Sequence, residues 1–315
     1  MRRALIVGID DYPNAPLSGC VADAKRLEKV LAKHHDGSPN FDCMVVTSPP
    51  GDISRGRLRQ LVTNLFGQPA DVAWLHFSGH GTRNDLGGYL VTPDAVDFDV
   101  GVSMADILAM ANGSEVSETV ITLDCCHSGA FGHAAPLKDT QVALAEGVSV
   151  LTGTRASQAA LEIGGGGVFT SLLVDGLEGG AAGIRGEVNA AGLYALMDSA
   201  LGAWDQRPMF RTNVSRFELL RCARPRISIE LLRKIPTHFP VPAEDLSLDP
   251  SYEPTAEPRD PVHEAAFEEL LKLRSAGLVE PVGEEHMYYA AMNSKACRLT
   301  ALGLHYWRLV SNNRL

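Results

Sequence analysis

The sequence contains two continuous apolar runs, Val72-Ala-Trp-Leu-His-Phe77 and Thr119-Val-Ile-Thr-Leu123, and each ends in a polar segment that contains glycine. Such runs are typical of central strands in a parallel sheet that is covered by helices on both faces. The first leads into Ser78-Gly-His-Gly81 and the second into Asp124-Cys-Cys-His-Ser-Gly129. Because the functional crevice of an open α/β sheet lies at the carboxyl ends of its strands, both segments mark a predicted site.

Outward from these runs, apolar strands alternate with amphipathic helices through the first two-thirds of the chain. This alternation predicts an α/β fold, a three-layer α/β/α sandwich with a mostly parallel central sheet. Four further strands are predicted at Ala4–Ile9, Cys43–Thr47, Gly88–Thr92 and Val148–Leu151. Four helices are predicted at Gly19–Lys33, from the N-cap Ser54 to Phe66, at Ser103–Ala111 and at Val168–Leu177.

The last third of the chain changes character. Seven prolines fall between Arg224 and Asp260, which predicts a linker or a segment wrapped over the surface. Helical spacing returns at Val262–Ala276, and a strand at Met287–Met292 and a helix at Leu299–Leu309 are expected to follow. The predicted division is residues 1–222 for the main domain, 223–260 for the linker and 261–315 for a small winged-helix-like module.

Composition restricts the classes of function. The 315 residues are 45% hydrophobic and carry a formal net charge of −10, so a polyanionic partner such as nucleic acid is disfavoured. No apolar run reaches the roughly 18 residues of a membrane span, and no membrane partner is expected. Six cysteines without a disulfide-like spacing predict a reducing, cytoplasmic location.

Strand geometry predicts that an imidazole and a thiol meet above the sheet. Side chains alternate between the two faces of a strand, so Ser78 and His80 share one face. Asp124 and Cys126 share a face of their own strand, whereas Cys125 points into the opposite helix layer. An imidazole can take the proton of a thiol and later protonate a leaving amine. Backbone N–H groups of Gly81 and Cys126 form a candidate oxyanion hole.

The paired motifs, with Cys126 46 positions after His80, resemble the His/Cys dyad of caspase-like cysteine peptidases. The branch they resemble is that of the metacaspases, the bacterial orthocaspases of clan CD, over about residues 1–222. The resemblance implies a caspase-like fold, with His80 as the catalytic imidazole and Cys126 as the nucleophile. Further matches are Ala4-Leu-Ile-Val-Gly-Ile9, Leu17-Ser-Gly-Cys20-Val-Ala-Asp23-Ala24, Gly167-Val-Phe-Thr170 and Gln206-Arg-Pro208.

The same resemblance implies a pocket for the residue that precedes the cleaved bond (P1). The matching positions are Cys20, Asp23, Ser78 and Asp124, and two carboxylates suit the planar donor fork of an arginine side chain. Cleavage after Arg, then Lys, is therefore expected, and the partners are protein substrates with those residues. No cofactor is required, although the resemblance leaves calcium open, with Asp94, Asp97, Asp99 and Asp106 as weak candidates.

Regulation is inferred by analogy with the family. Caspase-like zymogens are commonly cut after the nucleophile, and Lys138 is the only basic residue between His127 and Gly153, so it is the candidate for self-processing. The C-terminal module is expected to dock an activating protease or a regulatory protein in a bacterial stress or antiviral pathway. Two alternatives stay open: a catalytically silent scaffold with this fold, and a transcriptional regulator that uses the C-terminal module.

Overall fold

The structure is a computed structural model that describes residues 1–49, 51–96, 99–125, 143–153, 162–163, 166–201, 208–257 and 259–315. These residues form two compact units, Met1–Arg224 and Pro225–Leu315. Of the residues singled out from the sequence, the following lie outside the described part of the chain: Asp97, Cys126, His127, Gly129, Lys138, Gln206 and Arg207.

The strands of the first unit include all those predicted from the apolar runs. In chain order they are β1 (Arg2–Ile9), β2 (Asp42–Ser48), β3 (Ala70–Ser78), β4 (Gly81–Asn84), β5 (Gly87–Val96), β6 (Asp99–Ser103), β7 (Val116–Asp124), β8 (Val148–Thr152), β9 (Glu162–Ile163), β10 (Gly166–Gly167), β11 (Glu187–Val188), β12 (Met209–Asn213) and β13 (Arg221–Cys222).

The described residues of this unit also form the helices α1 (Cys20–Leu31), α2 (Arg55–Phe66), α3 (Met104–Asn112), α4 (Val168–Asp175) and α5 (Ala190–Ala200). The predicted N-cap is confirmed, since the Ser54 side chain accepts a hydrogen bond from the backbone N–H of Arg57. The helix predicted to reach Leu177 ends as an α-helix at Asp175 and continues as one π-helical turn. In the part of the chain that the structure describes, no helix is both long and apolar enough to cross a lipid bilayer.

The central sheet has six strands in the order β12-β8-β7-β3-β1-β2. All neighbours are parallel except β12, which runs antiparallel to β8 at one edge. The predicted mostly parallel sheet is therefore confirmed. In the register of the three central strands, Gly8, Ser78 and Asp124 lie side by side at the carboxyl ends. The candidate site lies at this row of strand ends.

Helices cover both faces of the sheet, which confirms the three-layer sandwich. Apolar side chains of α2 and α3 pack with Leu75 and Phe77 on one face. Those of α1, α4 and α5 pack with Val72 and Trp74 on the other face. The run Val72–Phe77 is continuously apolar because successive side chains enter two different cores. Burial of these two layers is the main source of stability of the unit.

Gly8 allows α1 to lie directly against the end of β1. A Cβ atom at this position would come within 2.3 Å of the Cys20 carbonyl oxygen and 2.9 Å of the Ala24 Cβ. Any side chain would therefore push the first turn of α1 away from the sheet. Because Gly8 is the neighbour of Ser78 in the sheet, this close approach brings Cys20 to Ser78.

The second unit contains more structure than the sequence predicted. Its helices are α6 (Ile229–Arg233), α7 (Ile235–His238), α8 (Pro261–Ser275), α9 (Met287–Met292) and α10 (Ala301–Ser311). Its strands β14 (Leu246–Ser247), β15 (Val279–Val282) and β16 (Ala296–Leu299) form an antiparallel sheet in the order β14-β16-β15. The winged-helix-like assignment of residues 261–315 stays a prediction.

The segment predicted as a linker over residues 223–260 differs from that expectation. From Pro225 onward it belongs to the second unit and contributes α6, α7 and β14. Leu232, Ile235, Phe239 and Leu248 are buried there. Pro236 and Pro250 lie in the first turns of short helices, and the apolar residues between them form part of a core, which the proline count alone did not reveal.

The strand predicted at Met287–Met292 is wrong, because these residues form the helix α9. Met287, Ala290 and Ala291 are its buried residues. Their spacing of three and four positions is the helical period, whereas a half-buried strand would bury alternate residues. The helix expected near its capping residue Thr300 is confirmed as α10, since the Thr300 hydroxyl accepts from the Gly303 N–H.

Candidate active site

His80 stands at the turn between β3 and β4, beside an open groove. Its backbone N–H donates to the Tyr12 hydroxyl at 3.0 Å, and the two rings lie 4.5 Å apart between centroids. Its Nε2 atom is 2.7 Å from the carbonyl oxygen of Ala15. The preceding Gly79 is required, because a Cβ there would lie 2.5 Å from the Tyr12 hydroxyl. One backbone contact and two contacts of the ring thus hold His80 at the predicted strand end.

The groove beside His80 has a volume of about 440 Å³. Tyr12 and Ala15 line it on one side, Gly81 and Thr82 continue from His80, and Val91 of β5 also contributes. Gly81, the predicted oxyanion donor, begins β4 opposite Leu90. An open groove with exposed backbone next to an imidazole suits an extended peptide better than an enclosed small ligand.

The end of β7 agrees with the predicted alternation of side chains. Asp124 lies opposite Ser78 in the sheet. Cys125 is fully buried in the core beneath α2 and α3, on the opposite face, as expected. Cys126, the predicted nucleophile, follows directly and lies outside the described residues. Its role and its pairing with His80 therefore stay predictions.

The four residues predicted for the P1 pocket are brought together at the carboxyl end of the sheet. Ser78, Asp23 and Asp124 all lie close enough to the Cys20 thiol to influence its pKa. Burial raises the pKa of this thiol above its ordinary value, and the negative charges of Asp10, Asp124 and Asp23 raise it further. Cys20 therefore stays protonated at neutral pH and does not compete as a nucleophile.

We use the name acidic cavity for the predicted P1 pocket formed by Cys20, Asp23, Ser78 and Asp124, whose side chains are buried in the structure. Both of its carboxylates contact the N-terminus of α4. The backbone N–H of Gly167 donates to Asp23 Oδ2 at 2.8 Å. The backbone N–H and the hydroxyl of Thr170 donate to Asp124 Oδ2 at 3.1 and 2.7 Å. A Cβ on Gly167 would lie 2.0 Å from Asp124 Oδ2, so only glycine fits between the two acids. The partial positive charge of a helix N-terminus favours this arrangement.

Arg26 is a participant that sequence reasoning missed. It forms a salt bridge with Asp23 from the next turn of α1 and also donates to the Ser171 hydroxyl at 3.0 Å. The spacing of three residues between an acid and a base on a predicted helix is the signal that could have identified it. The contacts of Gly167 and Thr170 link segments more than forty residues apart, and no local pattern announces them.

His76 lies in the core below the acidic cavity and takes no part in the groove. Its Nδ1 atom is 2.9 Å from the Thr122 hydroxyl, which also accepts from the indole N–H of Trp74. Complete burial lowers the pKa of His76 to about 3, so the ring is neutral. His76 and Trp74 are therefore core residues.

Of the four calcium candidates, the side chains of Asp94 and Asp106 are described, and both contact donors from α2. Both carboxylate oxygens of Asp94 accept from the backbone N–H of Arg55, and Asp106 forms a salt bridge with Arg59 at 2.8 Å. The side chains of Asp97 and Asp99 lie outside the described part. Among the described residues, no cluster of three or more acidic, histidine or cysteine side chains could hold a metal ion.

Comparisons with known proteins show which family and which solved structures this chain is similar to. Residues 1–201 match the model of the peptidase C14 family, described as the caspase domain. Metacaspase-2 of Trypanosoma brucei brucei is 30% identical over 147 residues, which are 41% of this chain and 42% of that protein. Metacaspase-7 of Arabidopsis thaliana is 30% identical over 151 residues, 41% of this chain and 35% of that protein. The crystal structure of protein GSU0716 from Geobacter sulfurreducens shares the fold at 18% identity, with a TM-score of 0.52 over 71% of this chain and 97% of that one.

The chain belongs to the caspase-domain peptidases of family C14, because the family model spans most of the first unit. The curated relatives are metacaspases, which confirms the resemblance carried by the two motifs. The matched stretch spans about two-fifths of the length of Metacaspase-2.

Proposed function

We propose that this chain is a cysteine endopeptidase that hydrolyses peptide bonds after Arg, and less well after Lys, by a Cys126/His80 dyad. The observation that carries the proposal is the placement of His80 in a groove at the same sheet end as four clustered pocket residues. Membership of the caspase-domain family supports the peptidase class. The acidic cavity supports the basic specificity, because carboxylates favour a guanidinium or ammonium group.

The proposed chemistry follows from the groups at the strand ends. His80 takes the proton of the Cys126 thiol, and the thiolate sulfur attacks the carbonyl carbon of the scissile bond. Backbone N–H groups of Gly81 and Cys126 bind the negative oxygen of the tetrahedral intermediate. The protonated His80 then gives its proton to the leaving amine, and water hydrolyses the resulting thioester. No cofactor takes part in these steps.

Asp124 supplies the sharpest test of the basic specificity. We expect wild type to cleave coumarin-amide peptides ending in Arg or Lys and to leave those ending in Asp or Leu nearly intact. Asp124→Asn should lower kcat/KM for the Arg peptide by at least about 30-fold, since a buried charge partner is lost while a carbonyl oxygen remains for Thr170. The matched control Asp42→Asn removes an exposed acid at the start of β2 and should behave as wild type. Equal cleavage of Arg and Leu peptides by wild type would refute this specificity.

Lys138 is the proposed self-processing site, since an enzyme with an acidic P1 cavity would cut at the basic residue that follows its nucleophile in the sequence. Purified wild-type protein should divide into a large and a small fragment, and Lys138→Ala should remain whole. The fragment masses by mass spectrometry give the cut position. A cut that persists in Lys138→Ala would rule this site out.

The remaining features are proposed from the family and from composition. The protein acts on protein substrates with Arg or Lys at the cleaved position, in the cytoplasm, and its C-terminal unit docks an activating protease or a regulatory protein. We place it in a stress or antiviral pathway by family analogy alone. Calcium binding at Asp94 and Asp106 would require these side chains to give up their contacts with α2.

A further inference from the structure

The acidic cavity is closed in the described conformation. Asp23 is fully buried and Asp124 is 5% exposed. A carboxylate that binds a substrate side chain must offer it an oxygen atom, so at least one of the present contacts has to be exchanged when substrate binds. The donors that now occupy the cavity differ in how readily they can leave.

Two of these donors are backbone groups of a packed helix. Gly167 is the N-cap of α4, Thr170 lies in its first turn, and Phe169, between them, is fully buried. Withdrawing these groups would require α4 to move relative to the sheet. These two N–H groups are therefore expected to keep their contacts with Asp23 and Asp124 when substrate binds.

Of the two donors to Asp23 that the structure describes, Arg26 is the one that can leave without moving the backbone. Its side chain is 46% exposed, and its guanidinium pairs with Asp23 Oδ1, while Gly167 holds the other oxygen of the same carboxylate. Its second contact is the hydroxyl of the partly exposed Ser171. Because the guanidinium is half exposed, water solvates it when it leaves, and an incoming cation restores a charged partner to the buried Asp23.

We propose that Arg26 is an internal competitor for the P1 cavity, because its guanidinium covers Asp23 until the basic side chain of a substrate takes its place. The proposal rests on the proposed Arg/Lys specificity and adds to it a residue that tunes affinity. The guanidinium of a substrate arginine carries the same planar set of N–H donors as Arg26, so it can replace Arg26 as the partner of Asp23. Arg26 does not act on the chemical step of the reaction, since its described contacts involve neither His80 nor the residues that line the groove.

Competition has a distinct kinetic signature. An internal competitor raises KM for every basic substrate by one common factor, and it leaves kcat and the ratio of Arg to Lys cleavage unchanged. Arg26→Gln and Arg26→Ala should therefore lower KM for both peptides by about two- to fivefold. The inhibition constant of agmatine, a free guanidinium probe, should fall by the same factor. Arg26→Lys, which keeps a cation at this position, should stay closer to wild type.

Lys25→Ala is the matched control, since it removes one positive charge from an exposed position of the same helix. Melting temperatures would show that each variant is folded. Unchanged or raised KM in folded Arg26→Gln would overturn the proposal, as would a fall in kcat or a failure of all three Arg26 variants to fold, because the ion pair would then be structural. A wild-type protein that cleaves neither Arg nor Lys peptides would instead refute the proposed specificity, so the two failures are distinguishable.

Discussion

Replacing Cys126 by Ala is expected to lower kcat/KM for a peptide ending in Arg by about 10⁴-fold or more, which leaves no activity above background. Without a sulfur nucleophile no thioester can form, and the remaining groups only bind the substrate. The measurement is the release of coumarin from the Arg peptide, together with the mass shift of the protein after treatment with iodoacetamide. We expect that mass shift to be lost in the variant at a reagent level that labels one thiol of wild type.

Cys43→Ala is the control for this experiment. Burial raises the pKa of the Cys43 thiol to about 12, so this partly exposed thiol is protonated at neutral pH and reacts slowly. The control should keep both full activity and the iodoacetamide label. If Cys126→Ala still turns over the peptide, the dyad is not the catalytic apparatus. If wild type itself is inactive, the catalytically silent scaffold becomes the better description of the first unit.

His80→Ala should lower kcat/KM by about 10³-fold, because proton transfer by a positioned imidazole contributes about 10²- to 10⁴-fold. The imidazole also has a structural neighbour in the Tyr12 ring. Loss of packing must therefore be separated from loss of proton transfer. Added imidazole serves this purpose, since a small base that diffuses into the vacated space should restore part of the rate, whereas it cannot repair a disturbed fold.

His35→Ala provides the matched histidine control. His35 is exposed in the loop after α1, so this variant removes an imidazole away from the sheet end that carries the site. It should retain wild-type kcat/KM. A His80→Ala variant within about threefold of wild type, or one that imidazole does not rescue while its melting temperature is unchanged, would remove His80 from the proposed mechanism.

The first unit was largely predictable because its signals are local. Val72–Phe77 and Thr119–Leu123 are mostly apolar and do not alternate with exposed polar residues, and this pattern is typical of strands buried on both faces. The strand ends then place Ser78 and Asp124 side by side without any further information. The alternation of side chains also predicted the burial of Cys125 opposite to Asp124. Catalytic roles, in contrast, come from the resemblance and await experiment.

The contacts that close the acidic cavity were not predictable in the same way. Asp23 and Asp124 read as pocket residues, yet the groups that satisfy them arrive on α4, whose position depends on packing against α1 and the sheet. A sequence pattern indicates which face of a helix is apolar. It does not indicate which polar groups of that helix come into contact with other parts of the chain once the apolar face has packed. In the second unit, the high proline content predicted a linker, so the burial of Phe239 and Leu248 in a core was not predicted either.

The segment after β12 has a consequence for anyone who wishes to isolate the peptidase unit. Arg221 donates to the carbonyl oxygens of Val30, Lys33 and Leu177, and the Glu218 N–H donates to the buried Glu118. The match to the caspase-domain family ends at residue 201, well before these contacts. A truncation at that point would leave a buried carboxylate and three carbonyl groups without these donors, and the trimmed protein should be prone to aggregation. A truncation after Arg224 keeps the contacts of Glu218 and Arg221 with the rest of the unit.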